Sequence, residues 1–173
     1  MKFVVTAGPT REYLDPVRFL SNPSTGKMGF AVARVAAMRG HEVVLVAGPV
    51  SLKTPKGVRR IDVTSARDML AAVEEEMAKA KSGKPTIFVA TAAVADWRPA
   101  KCAPRKLKKG QMSDTLKLVR NPDILKEIGR RTKPPNHPLA QSSTRPLILW
   151  ASPPRQTTSS RKRGASAARR TST

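Results

Sequence analysis

The chain contains a single cysteine, Cys102, so no internal disulfide can form, which suits a reducing compartment. It has no run of about 18 or more apolar residues, so no membrane span is expected. The opening MKFVVTAGPT turns polar too soon for a signal peptide. We therefore expect a cytoplasmic protein without membrane partners. A length of 173 residues with 39% hydrophobic content suits one domain with a modest core.

Acidic residues are missing from the C-terminal part of the chain. Residues 1–127 hold 23 basic and 12 acidic residues, whereas residues 128–173 hold 10 basic residues and no acidic ones. Nearly half of the net charge of +21 therefore lies in the shorter segment. Residues 151–173 are rich in Ser, Thr, Arg, Ala and Pro and have too few apolar side chains to form a core. We expect one domain over 1–150 and a disordered basic tail over 151–173.

Two common nucleotide-binding fingerprints are also missing. A Walker loop reads G-x-x-x-x-G-K-[ST], but SNPSTGKMGF (21–30) lacks the first glycine and has Met28 in place of the hydroxyl residue. The dinucleotide fingerprint G-x-G-x-x-G does not occur after the first predicted strand. What remains is a polar, Gly-containing loop before a helix. Such a loop favours anions through backbone N–H groups and the helix dipole.

The chain does contain alternating strand and helix patterns. Short β-branched runs predict strands at 2–8, 41–49, 58–63 and 146–150, and a strand that runs into a loop at 86–97. A helix is predicted at 26–40, where Gly40 marks its C-terminal end. A second helix is predicted at 65–83, where Ser65 caps its N-terminus. We expect the glutamates at 74–76 to lie on the solvent face of the second helix. The order predicts an α/β fold with a three-layer Rossmann-like parallel sheet that is incomplete at the C-terminus.

Three polar or Gly-rich stretches follow predicted strands, at 8–27, 47–57 and 91–109. Because the carboxyl ends of parallel strands meet at one edge, we expect these stretches to converge there. The first is a loop of about 17 residues, too long for a mere connection. The third combines small residues, which let a flat ring approach the backbone, with lysines suited to a triphosphate. A solvated basic loop explains those lysines equally well.

Several segments in order carry a more specific signal: TAGPTREYLDPVRFLSNPSTGKMGFAVA, LVAGPVSL, ATAAVADWRPA, KLKK and LVRNPDIL. Over residues 1–127 the chain resembles the bacterial phosphopantothenoylcysteine synthetase family, the ligase of coenzyme A biosynthesis that is often fused behind a flavin-dependent decarboxylase. The resemblance implies joining of 4′-phosphopantothenate and L-cysteine with CTP and Mg²⁺ through an acyl-cytidylate. It also implies a homodimer or larger assembly. No decarboxylase half precedes Met1, so the synthetase part alone is expected.

The resemblance further implies roles for individual residues. Asn22 and Lys106 match catalytic residues, the first needed to turn the intermediate into product and the second helping to bind CTP. Substrate-binding roles are implied for Arg18, Ser21, Gly26 and Lys27. Nucleotide-binding roles are implied for Gly8, Ala92, Ala93, Asp96, Lys106, Lys108 and Lys109. One departure is Arg105, which stands where an acidic residue is common. No metal ligand is assigned.

The resemblance stops before the basic tail. Where the family continues through a strand into the motif G-F-A-A-E-T, this chain reads ASPPRQTTSSRKRGASAARRTST. Codons that encode residues 151–162 can, read in another frame, encode A-A-E-T at the expected place. We therefore predict a frameshift near Leu149–Trp150, which would leave the chain weakly active or inactive. Resequencing the coding DNA around codon 150 tests this prediction.

Two other functions remain open from the sequence. An α/β binding module with a basic arm would be retained on DNA in a salt-dependent manner. However, no aromatic residue follows Trp150 in the arm, and nucleic acid is not the expected partner. A nicotinamide-dependent oxidoreductase is disfavoured by the missing fingerprint and would enhance NAD(P)H fluorescence. A preference for CTP over ATP would favour the synthetase.

Overall fold

The structure is a computed structural model that describes residues 1–79, 85–108, 115–132 and 147–151. Its elements are, in chain order, β1 (Lys2–Ala7), β2 (Arg11–Tyr13), β3 (Phe19–Ser21), α1 (Lys27–Met38), β4 (Glu42–Ala47), β5 (Val58–Asp62), α2 (Ala66–Ala78), β6 (Thr86–Ala90), β7 (Trp97–Pro99), β8 (Leu118–Arg120), α3 (Ile124–Thr132) and β9 (Leu147–Ala151). Within these ranges no helix is long and apolar enough to cross a membrane.

Five of the strands form one sheet in the order β5-β4-β1-β6-β9, and every neighbouring pair is parallel. The predicted α/β fold with a parallel sheet is thus confirmed. The run predicted at 146–150 is a strand one residue further on, at the edge beside β6. The run predicted at 86–97 ends as a strand at Ala90. Beyond that point, Thr and Ala residues leave the sheet and form a loop at its carboxyl edge.

Helices cover both faces of the sheet, which gives the three predicted layers. Because neighbouring residues of a strand point to opposite faces, Val4 and Val5 belong to different clusters of buried side chains. The α1 layer contains Val5, Phe30, Ala33, Ala36, Val43, Leu45 and Val89. The layer of α2 and α3 contains Val4, Val46, Met69, Val73, Phe88, Ile124 and Ile128. Burial of these apolar faces is what fixes the helices on the sheet.

The predicted glycine after α1 and serine cap of α2 are confirmed, whereas α2 ends at Ala78 and not at the predicted residue 83. Gly40 follows α1 with φ of 75°, the left-handed geometry that favours glycine after a helix. Ser65 caps α2, because its side chain accepts a hydrogen bond from the N–H of Asp68 and its own N–H donates to the Asp68 carboxylate. The α1 face that meets the sheet consists of small residues around one aromatic, Phe30. Helix α1 therefore lies close to the strands.

The stretch 8–27, predicted as a loop, contains an antiparallel hairpin formed by β2 and β3. Each strand has three residues, too few for an alternating pattern to show in the sequence. Tertiary contacts hold the hairpin instead. The N–H of Arg11 donates to the carbonyl of Thr64, and the buried Glu12 carboxylate accepts from the N–H of Ala66 at the start of α2.

The prediction for the glutamates at 74–76 was wrong at Glu76, which is 1% exposed. This residue lies on the α2 face that also buries Met69 and Val73. Its carboxylate accepts hydrogen bonds from Lys2, Arg59 and Lys79. In the sequence, Glu76 belongs to a run of three glutamates, and such a run predicts a solvent-exposed helix face. Lys2, the buried partner that reverses this expectation, lies 74 positions away in the chain.

Candidate functional site

The loops after β1, β4 and β6 meet at the carboxyl edge of the sheet, as the sequence predicted. The N–H of Ala93 donates to the carbonyl of Gly8 at 2.8 Å, and the N–H of Gly48 donates to Ala7 at 2.9 Å. The backbones approach so closely that a Cβ atom on Gly48 would lie 1.7 Å from the Pro9 oxygen. A Cβ on Gly26 would lie 3.3 Å from the Gly8 nitrogen. Position 48 therefore has no room for a side chain, and position 26 has little.

A cavity of about 620 Å³ opens between the end of β6, the β7–β8 hairpin and the start of α3. Two of the predicted nucleotide-binding residues, Ala92 and Asp96, line it. Ala90 and Ala95 supply further small side chains, which leave space for a flat ring. The remaining lining residues are Thr6, Val94, Trp97, Arg120, Asn121, Pro122, Asp123, Ile124 and Leu125. We call this space the first cavity.

Hydrogen bonds to Asn121 hold one wall of the first cavity. The Asn121 side-chain NH₂ donates to the carbonyl of Ala95 at 2.8 Å, and the Asn121 backbone N–H donates to the backbone carbonyl of Asp96 at 2.8 Å. Arg98 donates to the Asn121 side-chain oxygen at 3.1 Å. The site predictions did not include Asn121. An Asn-Pro pair immediately before a helical pattern is a sequence signal that could have identified this loop.

Two threonines of the first strand and its loop hold the opposite wall. The Thr6 hydroxyl accepts from the N–H groups of Thr91 and Ala92, at 3.3 and 3.4 Å. The buried Thr10 hydroxyl accepts from the N–H of Ala95 at 3.0 Å. The N–H groups of Ala92 and Ala95 therefore donate to threonine side chains, whereas that of Ala93 donates to the backbone carbonyl of Gly8. This loop is held in one shape beneath the cavity.

Asn22 reaches the same loop. Its side-chain NH₂ donates to the carbonyl of Val94 at 3.0 Å and to that of Ala93 at 3.4 Å. Because Val94 lines the first cavity, the loop that carries Asn22 is attached to the cavity wall. Gly8, Asn22, Gly26 and Ala93, whose roles the family resemblance implies, therefore lie close together. Both hydrogen bonds use the amide NH₂ group, and neither uses the Asn22 carbonyl oxygen.

A second cavity, also of about 620 Å³, is lined by Arg18, Lys106, Leu107 and Lys108. We call it the basic cavity. It shares none of its lining residues with the first cavity, so the structure divides the predicted nucleotide-binding set between two spaces. Lys106 and Lys108 are exposed. Lys109, predicted to act with them, lies outside the described residues.

The Arg18 guanidinium is paired with the buried carboxylate of Asp15. Arg18 donates to Asp15 through Nε and Nη2 and also to the carbonyl of Leu107 at 2.9 Å. These hydrogen bonds from Arg18 hold the pKa of Asp15 well below its ordinary value, although burial opposes the shift. Backbone N–H groups of Val17, Arg18 and Leu107 lower the same pKa. Arg18 thus has a clear structural partner besides any ligand.

The remaining predicted substrate-binding residues have different surroundings. The Ser21 hydroxyl donates to the carbonyl of Thr10 at 2.7 Å, so it helps to close the hairpin. Lys27 is exposed in the first turn of α1, whose N-cap residue, Gly26, provides no side-chain cap. Backbone N–H groups at such a helix start favour an anion. Among the described residues, no three His, Cys, Asp or Glu side chains form a group that could hold a metal ion.

A parallel α/β sheet whose loops converge at its carboxyl edge defines a Rossmann-like domain. Residues 1–139 match the family model described as the DNA/pantothenate metabolism flavoprotein C-terminal domain. The chain belongs to this family, and the resemblance found in the sequence is confirmed.

Two relatives are coenzyme A biosynthesis bifunctional proteins named CoaBC. The protein from Vibrio cholerae is 50% identical over 134 residues, which are 76% of this chain and 32% of that protein. The protein from Escherichia coli is 52% identical over 128 residues, which are 72% of this chain and 30% of that protein. The chain thus spans about a third of the length of these curated relatives.

Solved structures show the same fold. The C-terminal domain of a CoaBC protein superposes with a TM-score of 0.64 at 38% identity, covering 84% of this chain and 61% of that one. A Cab2 mutant in complex with phosphopantothenate-cysteine gives a TM-score of 0.63 at 17% identity, covering 86% and 62%. The second likeness is one of fold alone.

Proposed function

We propose that this chain carries part of the site of a coenzyme A biosynthesis ligase, which joins 4′-phosphopantothenate to L-cysteine at the expense of CTP. Membership of the family and about 50% identity to the CoaBC proteins support this function. In the first step, a substrate carboxylate oxygen attacks the α-phosphorus of CTP and releases pyrophosphate. In the second step, the cysteine amine attacks the acyl carbon and releases CMP.

The observation that carries the proposal is the bond from Asn22 to the carbonyl of Val94. This bond attaches the loop of the proposed acyl-binding residue to the wall of the cavity that we assign to the cytidine. The alanines there leave room for a base, and the Asp96 carboxylate can accept hydrogen bonds from amino or hydroxyl groups. The lysines of the basic cavity would neutralise phosphate groups.

The family resemblance also implies Mg²⁺, but the described residues do not fit a protein-held ion. The carboxylates lining the first cavity are those of Asp96 and Asp123, and no third His, Cys, Asp or Glu joins them. Magnesium in proteins takes several oxygen ligands, many of them from substrate phosphates and water. Mg²⁺ would therefore enter with the triphosphate, and no protein ligand is assigned to it.

Titration of the chain with CTP and with ATP tests the nucleotide assignment, and CTP should bind more tightly. Replacing Lys106 by glutamine should weaken CTP binding about tenfold, because a hydrogen bond to a charged group contributes about 1.5–3 kcal/mol. The matched control is Lys101→Gln, which removes an equal charge from an exposed residue of the same loop. Calorimetry measures both variants. Equal losses in both would mean that Lys106 acts only through net charge.

The second step is tested by Asn22→Ala in a version of the chain that carries, after Leu149, the alternative reading frame predicted from the sequence. The chain leaves β9 at Ala151 beside Ala90, at the edge where the site lies, so the restored segment would continue at that edge. The variant should accumulate the acyl-cytidylate because it lacks the amide that orients the acyl group. Labelled CMP should stay linked to substrate, and the control Thr25→Ala, exposed in the same loop, should release it. Normal product formation by Asn22→Ala would refute the assignment.

A further inference from the structure

The turn of the β2–β3 hairpin contains a carboxylate with five N–H donors. Asp15 Oδ1 accepts from the backbone N–H groups of Val17 and Arg18, both at 2.9 Å. Asp15 Oδ2 accepts from Arg18 Nε at 3.0 Å, from Arg18 Nη2, and from the backbone N–H of Leu107 at 3.2 Å. Four of these bonds are local to the turn. The fifth joins the hairpin to a loop that lies 92 residues further along the chain.

Both backbone polar groups of Leu107 are held by the Asp15–Arg18 pair. The Leu107 N–H donates to Asp15, and the Leu107 carbonyl accepts from Arg18 Nη2 at 2.9 Å. The start of the same loop is tied to the hairpin as well, because the N–H of Ala103 donates to the carbonyl of Leu14 at 2.8 Å. The loop therefore has two attachment points on the hairpin turn. Only the attachment at Leu107 depends on charged side chains.

The attachment at Leu107 determines where its neighbours lie. Lys106 and Lys108 flank Leu107 in the chain and line the basic cavity together with Arg18. Three positive side chains around one cavity repel one another, and the negative charge of the Asp15 carboxylate, paired with Arg18, offsets part of that repulsion. Asp15 itself is fully buried, so it is not available to a ligand. Its structural effect is transmitted through Leu107.

We propose that Asp15 is a positioning residue that fixes the Leu107 backbone and so places Lys106 and Lys108 for a ligand bearing several phosphate groups. The identity of that ligand as CTP rests on the proposed function. The position of the loop does not, because it follows from the hydrogen bonds to Asp15 and Arg18. We call residues 103–108 the lysine loop. Loss of the carboxylate charge would release the lysine loop while the sheet and its helices stay folded.

The test is Asp15→Asn in the full chain, with limited trypsin digestion and mass spectrometry of each cut. Cleavage after Arg105, Lys106 and Lys108 should become about tenfold faster, because a lost charge-assisted hydrogen bond raises the open population of the loop. Cleavage after Arg67, in helix α2, should not change. CTP affinity should fall about three- to tenfold. Asp62→Asn, which neutralises an exposed carboxylate paired with Arg60, should leave both measurements unchanged.

A second variant, Leu107→Pro, removes the donated N–H and leaves the buried carboxylate in place, so it keeps the test informative if Asp15→Asn folds poorly. It should also accelerate cleavage after Arg105 and Lys108, whereas the new Lys106–Pro bond is resistant to trypsin and is left out of the comparison. Unchanged loop cleavage in a folded variant would overturn the proposal. Equal acceleration of cleavage after Arg67 would overturn it as well, because that result means global destabilisation. If the unsubstituted chain binds no CTP, the proposed function loses support, while loop cleavage still decides the role of Asp15.

Discussion

Replacing Glu76 by glutamine is expected to lower the free energy of unfolding by about 3–5 kcal/mol, because it leaves a buried lysine without its charge partner. Lys2 is 7% exposed and donates to the Glu76 carboxylate at 3.0 Å and to the Glu76 carbonyl oxygen at 2.8 Å. The other two partners, Arg59 and Lys79, are half exposed and can turn towards water. Most of the loss therefore arises at Lys2. Urea denaturation measures it.

The matched control is Glu75→Gln, which removes the same charge from the neighbouring position. Glu75 pairs with Lys79 four residues later, but its side chain is 67% exposed. An exposed pair of this kind contributes about 0.5 kcal/mol or less. If the two variants lost equal stability, the loss would come from the net charge of the helix and not from burial at Glu76.

The Glu76 effect should also depend on pH in a defined direction. Burial alone raises the pKa of Glu76, but hydrogen bonds from Lys2, Lys79 and Arg59 outweigh it and lower the pKa from 4.5 to about 2. A carboxyl whose pKa is lowered by folding stabilises the folded state above its unfolded pKa and loses that contribution as the pH falls through its folded pKa. The gap between the parent chain and Glu76→Gln should be constant above pH 4.5 and shrink towards pH 2.

Gly48→Ala is expected to destabilise the chain by about 3 kcal/mol, the upper end of the usual cost of overpacking, and to disturb the site as well. The added Cβ would lie 1.7 Å from the Pro9 oxygen and 2.8 Å from the Pro9 carbonyl carbon. Both are backbone atoms, so no side-chain rotation relieves the clash. The β1 loop must move away from β4, and Gly8 and Pro9 move with it. Unfolding by urea and CTP titration measure the two effects.

Gly40→Ala provides the comparison for Gly48. Gly40 has a φ of 75° but has nothing within 4 Å of an added Cβ. Its substitution should cost about 1 kcal/mol through backbone strain alone and leave the site unchanged. Equal losses at the two positions would contradict the steric explanation for Gly48.

The parallel sheet and its helices could be predicted because each depends on local signals. Buried strands appear as short β-branched runs. Ser65 marks the start of α2, and Gly40 marks the end of α1. The meeting of the three loops followed from topology, since carboxyl ends of parallel strands share an edge. Membership of the family came from motifs such as RFLSNPSTGKMG, which are continuous in the chain.

Contacts between distant residues were not predictable in the same way. The β2–β3 hairpin has strands too short to show a pattern, and Glu12 holds it by reaching the start of α2. The division of the predicted nucleotide-binding residues between two cavities depends on where the lysine loop docks, which Asp15 and Leu107 decide. The wall of the first cavity depends on Asn121 in the same manner.

By itself, the sequence determined the α/β class, the edge at which the three loops meet and the family, because periodicity, turn residues and motifs are properties of neighbouring residues. Only the tertiary structure decided that Glu76 is buried, that Arg18 pairs with Asp15 and that Asn22 bonds to the carbonyl of Val94. The reason is physical. The energy of a charge or an amide depends on its burial and on its partner. Glu76 and Asn22 have partners more than 70 positions away in the chain, and Arg18 pairs with Asp15 only because the chain turns between them.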